Sequence, residues 1–193
     1  MDFELDQNAS SLPPSGASLN FSADELLARR FRPFDEQGKP YATEKSTWAF
    51  KIYKPNAEKS YYFANFRAAP QSWFDAQLKN ANFAALNSVA LAAVTTANTA
   101  LRNFPTDEGL YVDPKTPGKG YPFDYLQLST LSIAQPLFVS HFSLDRAWAF
   151  VSDDTTWGWV KAEDLRILSE REAQAFKEQK FLTVKSDKTP VYD

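Results

Sequence analysis

The sequence predicts an α+β protein in which a small mixed α/β unit is followed by a small β-barrel. The most informative segment is residues 148–165, where aromatic and apolar side chains alternate on both sides of a polar break at residues 152–156. That arrangement predicts a β-hairpin. Across residues 99–168, short apolar runs are separated by turn-forming segments, as in small barrels. Helix-capping signals at Ser22 and Ser169 predict a helix near each end.

The elements of the N-terminal unit follow from capping residues, prolines and hydrophobic spacing. Ser22 and Glu25 have the spacing of a capping box, so a helix is expected to begin there and to end before Pro33. The remaining predicted elements of this unit are a half-buried strand at residues 48–53, a second short strand at residues 61–63 and a helix around residues 73–78.

The end of the predicted barrel has its own local signals. Gly158 is expected to let the backbone pass close to a neighbouring chain segment. Residues 161–164 suit a single helical turn that closes the barrel. A further helix is predicted over residues 169–179, because Glu172 stands at the capping-box position relative to Ser169.

Changes in composition divide the chain into five segments. The pattern of residues 101–113, a strand, a polar turn and a second short strand, recurs weakly at residues 182–193, so the chain is expected to end inside a further domain. The predicted segments are a flexible tether at 1–20, a mixed α/β domain at 21–94, a barrel at 95–168, a linker helix at 169–180 and the start of a second barrel at 181–193.

Charge and composition exclude several classes of function. The net charge of −3 gives no electrostatic drive toward nucleic acid. The chain has no cysteine and a single histidine, His141, so we expect no thiolate nucleophile, no metal site and no cofactor. No apolar run approaches the length of a membrane span, the longest being residues 89–94. No secretion signal is recognisable at the N-terminus, and a signal or lipid anchor is presumed to have been removed.

Motifs spread over residues 20–193 resemble a known family. The most specific are Pro-Phe-Asp-Tyr-Leu-Gln at 122–127 and Gly-Trp-Val at 158–160. The accompanying residues are 31–34, 48–51, 101–102, 105–107, 118–121, 128–129, 136–141, Ser143, Asp145 and Trp148. Together they resemble the N-terminal, non-catalytic part of bacterial NlpC-type cell-wall cysteine peptidases.

The resemblance implies a clip-like N-terminal domain, an SH3-like β-barrel of the bacterial (SH3b) type and the start of a second SH3-like unit. It implies a non-catalytic targeting and groove-shaping module of a γ-D-glutamyl-diamino acid endopeptidase. The expected partners are a peptidoglycan stem peptide and a C-terminal peptidase domain of the same protein, and the expected location is the periplasm or cell envelope. The alternative is a stand-alone peptidoglycan-binding module. Because the family's nucleophile is a cysteine, its activity does not transfer to this chain.

The first group of candidate binding residues is Asp124, Tyr125 and Gln127. They follow a Gly- and Pro-rich approach segment that could place polar groups at the rim of a groove and recognise the free end of a stem peptide. The competing interpretation is a structural turn, in which Asp124 accepts hydrogen bonds from backbone N–H groups.

The second group of candidates is Ser143, Asp145 and Trp157. Ser143 and Asp145 have the spacing of turn chemistry but also lie among the family motifs. Trp157 follows polar residues, so we expect it to be exposed and available to a sugar ring, whereas Trp148 and Trp159 are predicted to lie in the barrel core. His141 is predicted to be structural. No residue is predicted to be catalytic.

Overall fold

The computed structural model describes residues 22–35, 43–56, 59–113, 115–153 and 155–179. The predicted tether at 1–20 and the predicted start of a second barrel at 181–193 lie outside the described residues. Within these ranges the α+β class is confirmed, since helices surround one seven-stranded antiparallel sheet. None of the described helices combines the length and the apolar character that crossing a membrane requires.

Along the chain, four of the described α-helices precede the strands of the sheet and one follows them. They are α1 (Ala23–Asp35), α2 (Thr43–Ser46), α3 (Trp48–Ile52), α4 (Gln71–Asn80) and α5 (Glu170–Lys177). Helix α1 begins at the predicted cap, but it does not end before Pro33 as expected. The proline lies in the last turn and is buried together with Phe31 and Phe34. Burial of this apolar face offsets the one backbone hydrogen bond that a proline removes.

Two predicted strands of the N-terminal unit are wrong. Residues 48–53 form α3 and its C-cap, where the amide of Tyr53 donates to the carbonyl of Ala49 at 2.9 Å. The alternation of aromatic and polar residues in so short a run does not separate a strand from a helix. Residues 61–63 form no strand either, because only Tyr62 makes isolated bridges, to Ala68 and to Tyr111.

The seven strands follow the mixed unit. They are β1 (Leu91–Thr95), β2 (Thr99–Arg102), β3 (Gln127–Leu131), β4 (Pro136–Phe142), β5 (Trp148–Ser152), β6 (Trp157–Lys161) and β7 (Leu165–Leu168), and their order in the sheet is β3-β2-β6-β5-β4-β1-β7. The predicted hairpin is confirmed, with Trp148 opposite Lys161 and Ser152 opposite Trp157. The predicted helical turn after it is a 3-10 helix at Ala162–Asp164.

One buried cluster lies at the centre of the sheet. It takes residues from six strands and consists of Ala93, Leu101, Leu131, Leu137, Val139, Ala149, Val151 and Val160. Leu165 of β7 packs against this cluster and Leu131 of β3 belongs to it, so strands from both ends of the sheet order meet at one core and the sheet curls around it. Gly158 makes the predicted close approach, because a Cβ added there would lie 2.8 Å from the carbonyl oxygen of Arg102.

The two terminal helices pack together on the sheet. Phe31 and Phe34 of α1 contact Phe176 of α5 with ring centroids 6.0 and 6.1 Å apart, above β1 and β7. The predicted capping box of α5 is present, with the Ser169 hydroxyl accepting from the Glu172 amide. Hydrogen bonds from the Ser169 amide, Arg166 and the Ser169 hydroxyl lower the pKa of Glu172 to about 2.

A second aromatic cluster joins the mixed unit to the long loop between β2 and β3. Phe104, fully buried, stacks on Phe50 of α3 at 4.0 Å and meets Phe74 of α4 edge to face at 6.4 Å. The structure therefore packs this loop against the N-terminal helices. Strand β1 begins at Leu91, ahead of the predicted boundary between residues 94 and 95, and the division into domains stays a prediction.

Candidate functional site

The loop between β2 and β3 is organised by the side chain of Arg102. Only 7% of this residue is exposed, and its guanidinium donates to the carbonyl oxygens of Thr106 and Glu108. The same group forms an ion pair with Asp124, with 2.9 Å between Nη2 and Oδ2. One buried cation therefore ties the two ends of the loop together.

Asp124 completes this arrangement from the other end of the loop. Its Oδ1 accepts from the amides of Leu110, at 2.9 Å, and Leu126, at 2.8 Å, while Oδ2 accepts from Arg102. The carboxylate is 16% exposed. The structure thus shows the turn-forming role that the sequence left open for Asp124, whereas direct contact with a ligand stays a prediction.

Tyr125 and Gln127 point in different directions. The Gln127 side chain donates to the carbonyl of Ser129 and accepts from Arg102 Nη1 at 3.4 Å, so it belongs to the loop's internal network. Tyr125 is half-buried and stands 6.1 Å from the ring of Tyr53. Of the three predicted residues, it is the one that lines the groove described next.

That cavity, the Tyr125 groove, has a volume of about 490 Å³ and lies between the mixed unit and the β2–β3 loop. Its lining residues are Lys59, Ser60 and Tyr62 on one side and Val112, Asp113, Thr116, Lys119 and Tyr125 on the other. The two sides are held together by the antiparallel bridge between Tyr62 and Tyr111, whose two backbone hydrogen bonds are both 2.8 Å. Its volume lies in the range of small-ligand sites.

Sequence reasoning missed the first side of this groove. Lys59 and Tyr62 carry no motif, and they approach Tyr125 only because of the bridge to Tyr111. The second side left a signal, since Lys119 stands between Gly118 and Gly120 in the loop already singled out as a rim. Gly118 has a positive φ of 76°, the kind of conformation that favours glycine.

Ser143 and Asp145 lie elsewhere, in the turn between β4 and β5. The Ser143 hydroxyl donates to Asp145 Oδ1 at 2.6 Å, and Asn80 Nδ2 at the end of α4 donates to Oδ2 at 2.9 Å. Burial raises the pKa of Asp145, but the hydrogen bonds from Ser143, the Ala147 amide and Asn80 outweigh it, so the pKa is lowered. These two residues fasten the turn to α4 and do not line the Tyr125 groove. A role in binding stays a prediction.

The predicted exposure of Trp157 is wrong. This side chain is half-buried and packs against a cluster that contains Trp148, Phe150 and Trp159. The core positions predicted for the other two tryptophans are confirmed, since Trp148 is 6% exposed and Trp159 is fully buried. Trp157 lies two residues before Trp159 in β6, so both side chains project from the same face of the sheet, and the cluster that buries Trp159 also partly covers Trp157.

His141 has the structural environment predicted for it. It is fully buried and touches Phe83, Phe150 and Trp159. Nε2 lies 2.9 Å from the carbonyl oxygen of Ala81, which only accepts, so Nε2 carries a hydrogen. Burial lowers the pKa of His141, although the hydrogen bond to Ala81 raises it.

Acidification is expected to destabilise the fold through His141. The pKa of His141 is lower in the folded state than the ordinary value of 6.5, which applies to the unfolded chain. At a pH between the folded and the unfolded pKa, the unfolded chain therefore binds more protons. The contribution of His141 to the free energy of unfolding is therefore fully present above pH 6.5 and is lost as the pH falls through the folded pKa. The slope is at most about 1.4 kcal/mol per pH unit for one proton. Urea titrations at a series of pH values between about 7.5 and about 5, the range in which histidine titrates, measure the effect. His141→Gln keeps a donor for Ala81 but does not titrate, and an equal loss in this variant would contradict the assignment.

The described residues contain no group of three histidine or acidic side chains placed to hold a metal ion. The titratable residues of the Tyr125 groove are two lysines, two tyrosines and Asp113. Asp113 Oδ1 accepts from the Lys115 amide at 2.9 Å and Oδ2 from the Thr116 hydroxyl at 3.2 Å. This set can bind and orient a polar ligand through charge and hydrogen bonds.

Comparisons with known proteins place this geometry in a wider context. The family described as SH3 domain (SH3b1 type) matches residues 110–161, which include one side of the Tyr125 groove and the strands β3 to β6. The fold is similar to that of an NlpC/P60 endopeptidase from Photobacterium damselae subsp. piscicida, with a TM-score of 0.64 and 26% identity over 74% of this chain. The match covers 32% of that longer chain. No curated protein matches the sequence.

Proposed function

We propose that this protein, which carries an SH3b domain and resembles the N-terminal part of an NlpC-type protein, is a non-catalytic module of a peptidoglycan endopeptidase. Its proposed role is to target the enzyme and to shape its groove. The observation that carries the proposal is the extent of the structural similarity. It reaches 74% of the chain, well beyond the residues of the SH3b match. The peptidase domain would act on γ-D-glutamyl-diamino acid bonds, and this chain would hold the stem peptide.

The position of the Tyr125 groove supports this proposal. Lys59 and Tyr62 come from the mixed unit, while Lys119 and Tyr125 belong to the SH3b match. A ligand in the groove therefore contacts both parts of the chain. Binding sites occur preferentially where two such units meet.

A stand-alone peptidoglycan-binding module is the second candidate. It is favoured by the groove that residues of this chain form, whose volume of about 490 Å³ suits a small ligand. Sequencing the gene downstream of the codon for Asp193 separates the two candidates. A cysteine-bearing peptidase domain in that reading frame supports the first, and a stop codon supports the second. In either case we propose that the protein acts in the periplasm or cell envelope, where peptidoglycan is found, and cell fractionation with an antibody tests this.

Binding to the cell wall is tested by sedimentation with purified peptidoglycan sacculi. We expect the chain to pellet with sacculi and the double variant Tyr62→Ala/Tyr125→Ala to remain in the supernatant. Tyr121→Ala is the matched control, since this tyrosine is 65% exposed and does not line the groove. If the wild-type chain stays in solution, the targeting function is wrong.

The chain alone is expected to have no peptidase activity. It has no cysteine, and its one histidine is buried against Ala81 and the aromatic cluster. Incubation with purified stem peptides, followed by mass spectrometry, measures release of the terminal residues. Turnover that persists through repurification and co-elutes with the protein would contradict the proposed non-catalytic role.

A further inference from the structure

We infer that the Tyr125 groove binds a carboxylate of its ligand, so that it recognises the acidic part of a peptide and not its amino end. This inference rests on the proposed function and goes further, since it names the chemical group and the residues that recognise it. It also differs from the candidate interpretation drawn from the sequence, in which Asp124, Tyr125 and Gln127 recognise the free end of a stem peptide.

The charges that line the groove favour an anion. Lys59 stands on one side and Lys119 on the other. The ion pairs described for lysine side chains involve Lys161 and Lys177, and among the described residues no carboxylate lies within ion-pairing distance of either groove lysine. The ammonium of Lys59 lies 5.2 Å from the centre of the Tyr61 ring, and this cation–π contact restricts its position.

The acidic side chains near the groove are already engaged. Asp113, the carboxylate of the lining, accepts hydrogen bonds from the Lys115 amide and the Thr116 hydroxyl. Asp124 is neutralised by Arg102 and receives two backbone amides. Two ammonium groups therefore face one carboxylate, and the local field attracts negative charge.

Hydrogen-bond donors complete the set. Ser60, Tyr62 and Tyr125 line the same cavity, and the hydroxyl group of each residue type can donate to an anionic oxygen. A carboxylate between the two lysines would receive charge-assisted hydrogen bonds from both sides of the groove. An ammonium group at the same place would be repelled by both.

The proposed ligand carries a suitable group. In a γ-D-glutamyl peptide the amide bond uses the side-chain carboxyl, so the α-carboxyl next to it stays free. The inference assigns this free carboxylate, or that of the neighbouring diamino acid, to the two lysines. The groove would then distinguish a γ-linked acidic peptide from a neutral one of the same length.

Isothermal titration calorimetry tests the inference with two probes, the dipeptide γ-D-glutamyl-meso-diaminopimelate and the same dipeptide with its carboxyl groups amidated. We expect the acid form to bind the full chain and the amidated form to bind about tenfold or more weakly. Binding of the acid form should weaken with added salt, since Lys119 is exposed and Lys59 is only half-buried, so salt screens both charges. Equal affinity for the two probes, or no binding of the acid form, would overturn the inference.

Three variants assign the effect to residues. Lys59→Gln and Lys119→Gln are each expected to weaken binding of the acid dipeptide about three- to tenfold, and the double variant should lose both affinity and salt dependence. Lys79→Gln is the matched control, because this exposed lysine of α4 makes the same change of charge away from the groove. Thermal melts confirm that each variant is folded. Unchanged affinity in the folded double variant would overturn the inference.

Sedimentation with sacculi separates this inference from the proposed function. If the wild-type chain and the Lys59→Gln/Lys119→Gln variant pellet equally well, the targeting function stands and the carboxylate assignment is wrong. If neither pellets while the wild-type chain still binds the acid dipeptide, the groove recognises carboxylates and the targeting function is wrong.

Discussion

Replacing Trp159 by alanine is expected to lower the free energy of unfolding by about 3–5 kcal/mol. The side chain is fully buried in β6 and touches Phe150, at 5.1 Å between ring centroids, and His141, at 5.4 Å. Among the described residues its indole N–H has no hydrogen-bond partner, so the loss comes from packing and from the cavity left behind. Urea denaturation followed by far-UV circular dichroism measures it.

Trp157→Ala is the matched comparison, in the same strand and with the same loss of volume. Because Trp157 is only half-buried, its replacement should cost about 1–2 kcal/mol. The loss of unfolding free energy should be smaller for Trp159→Phe than for Trp159→Ala, since a ring remains in the cluster. Equal losses for the two alanine variants would contradict the difference in burial between the two side chains.

The sequence predicted those elements whose signals are local. The hairpin of β5 and β6 follows from alternation, a polar turn and Gly158, and the start of α5 follows from the pair Ser169 and Glu172. In each case the residues that determine the structure lie within a few positions of one another. Short-range patterns of this kind are sufficient for a hairpin or a helix cap.

Prediction failed where packing determines the local structure. The run Trp48–Ile52 forms a helix because Ala49 and Phe50 pack against the aromatic cluster of the β2–β3 loop. Helix α1 continues past Pro33 because Phe31 and Phe34 are covered by α5, more than a hundred residues away in sequence. Neither partner is visible in the local pattern, and tertiary contacts outweigh it.

The candidate site was predicted only in part for the same reason. Tyr125 was found from its motif, but the lysines that determine the charge of its groove come from separate segments, and Lys59 carries no motif. For Asp124 the sequence left open both a ligand contact and a structural turn, because its partner, Arg102, is 22 residues away. From the sequence alone, a carboxylate in a loop can be interpreted as a ligand contact, because its ion-pair partner is not known.

Asp124→Asn is expected to lower the free energy of unfolding by about 2–4 kcal/mol. The carboxylate lies against Arg102, whose side chain is 8% exposed, so the substitution leaves a buried guanidinium without its counterion. An asparagine also has only one oxygen. Its NH₂ group must face either Arg102 or the amides of Leu110 and Leu126, and each of these is a donor.

Asp107→Asn is the control for this variant. Asp107 forms an ion pair of the same length, 2.9 Å, with Lys161, but its side chain is 68% exposed, so the change should cost less than about 1 kcal/mol. Urea denaturation and calorimetric titration with γ-D-glutamyl-meso-diaminopimelate on one preparation of each variant separate stability from binding. We expect Asp124→Asn to lose stability and, at a temperature where it is folded, to bind within about threefold of wild type, since no lysine of the groove is changed. Normal stability with lost binding would instead establish Asp124 as the ligand contact that the sequence predicted.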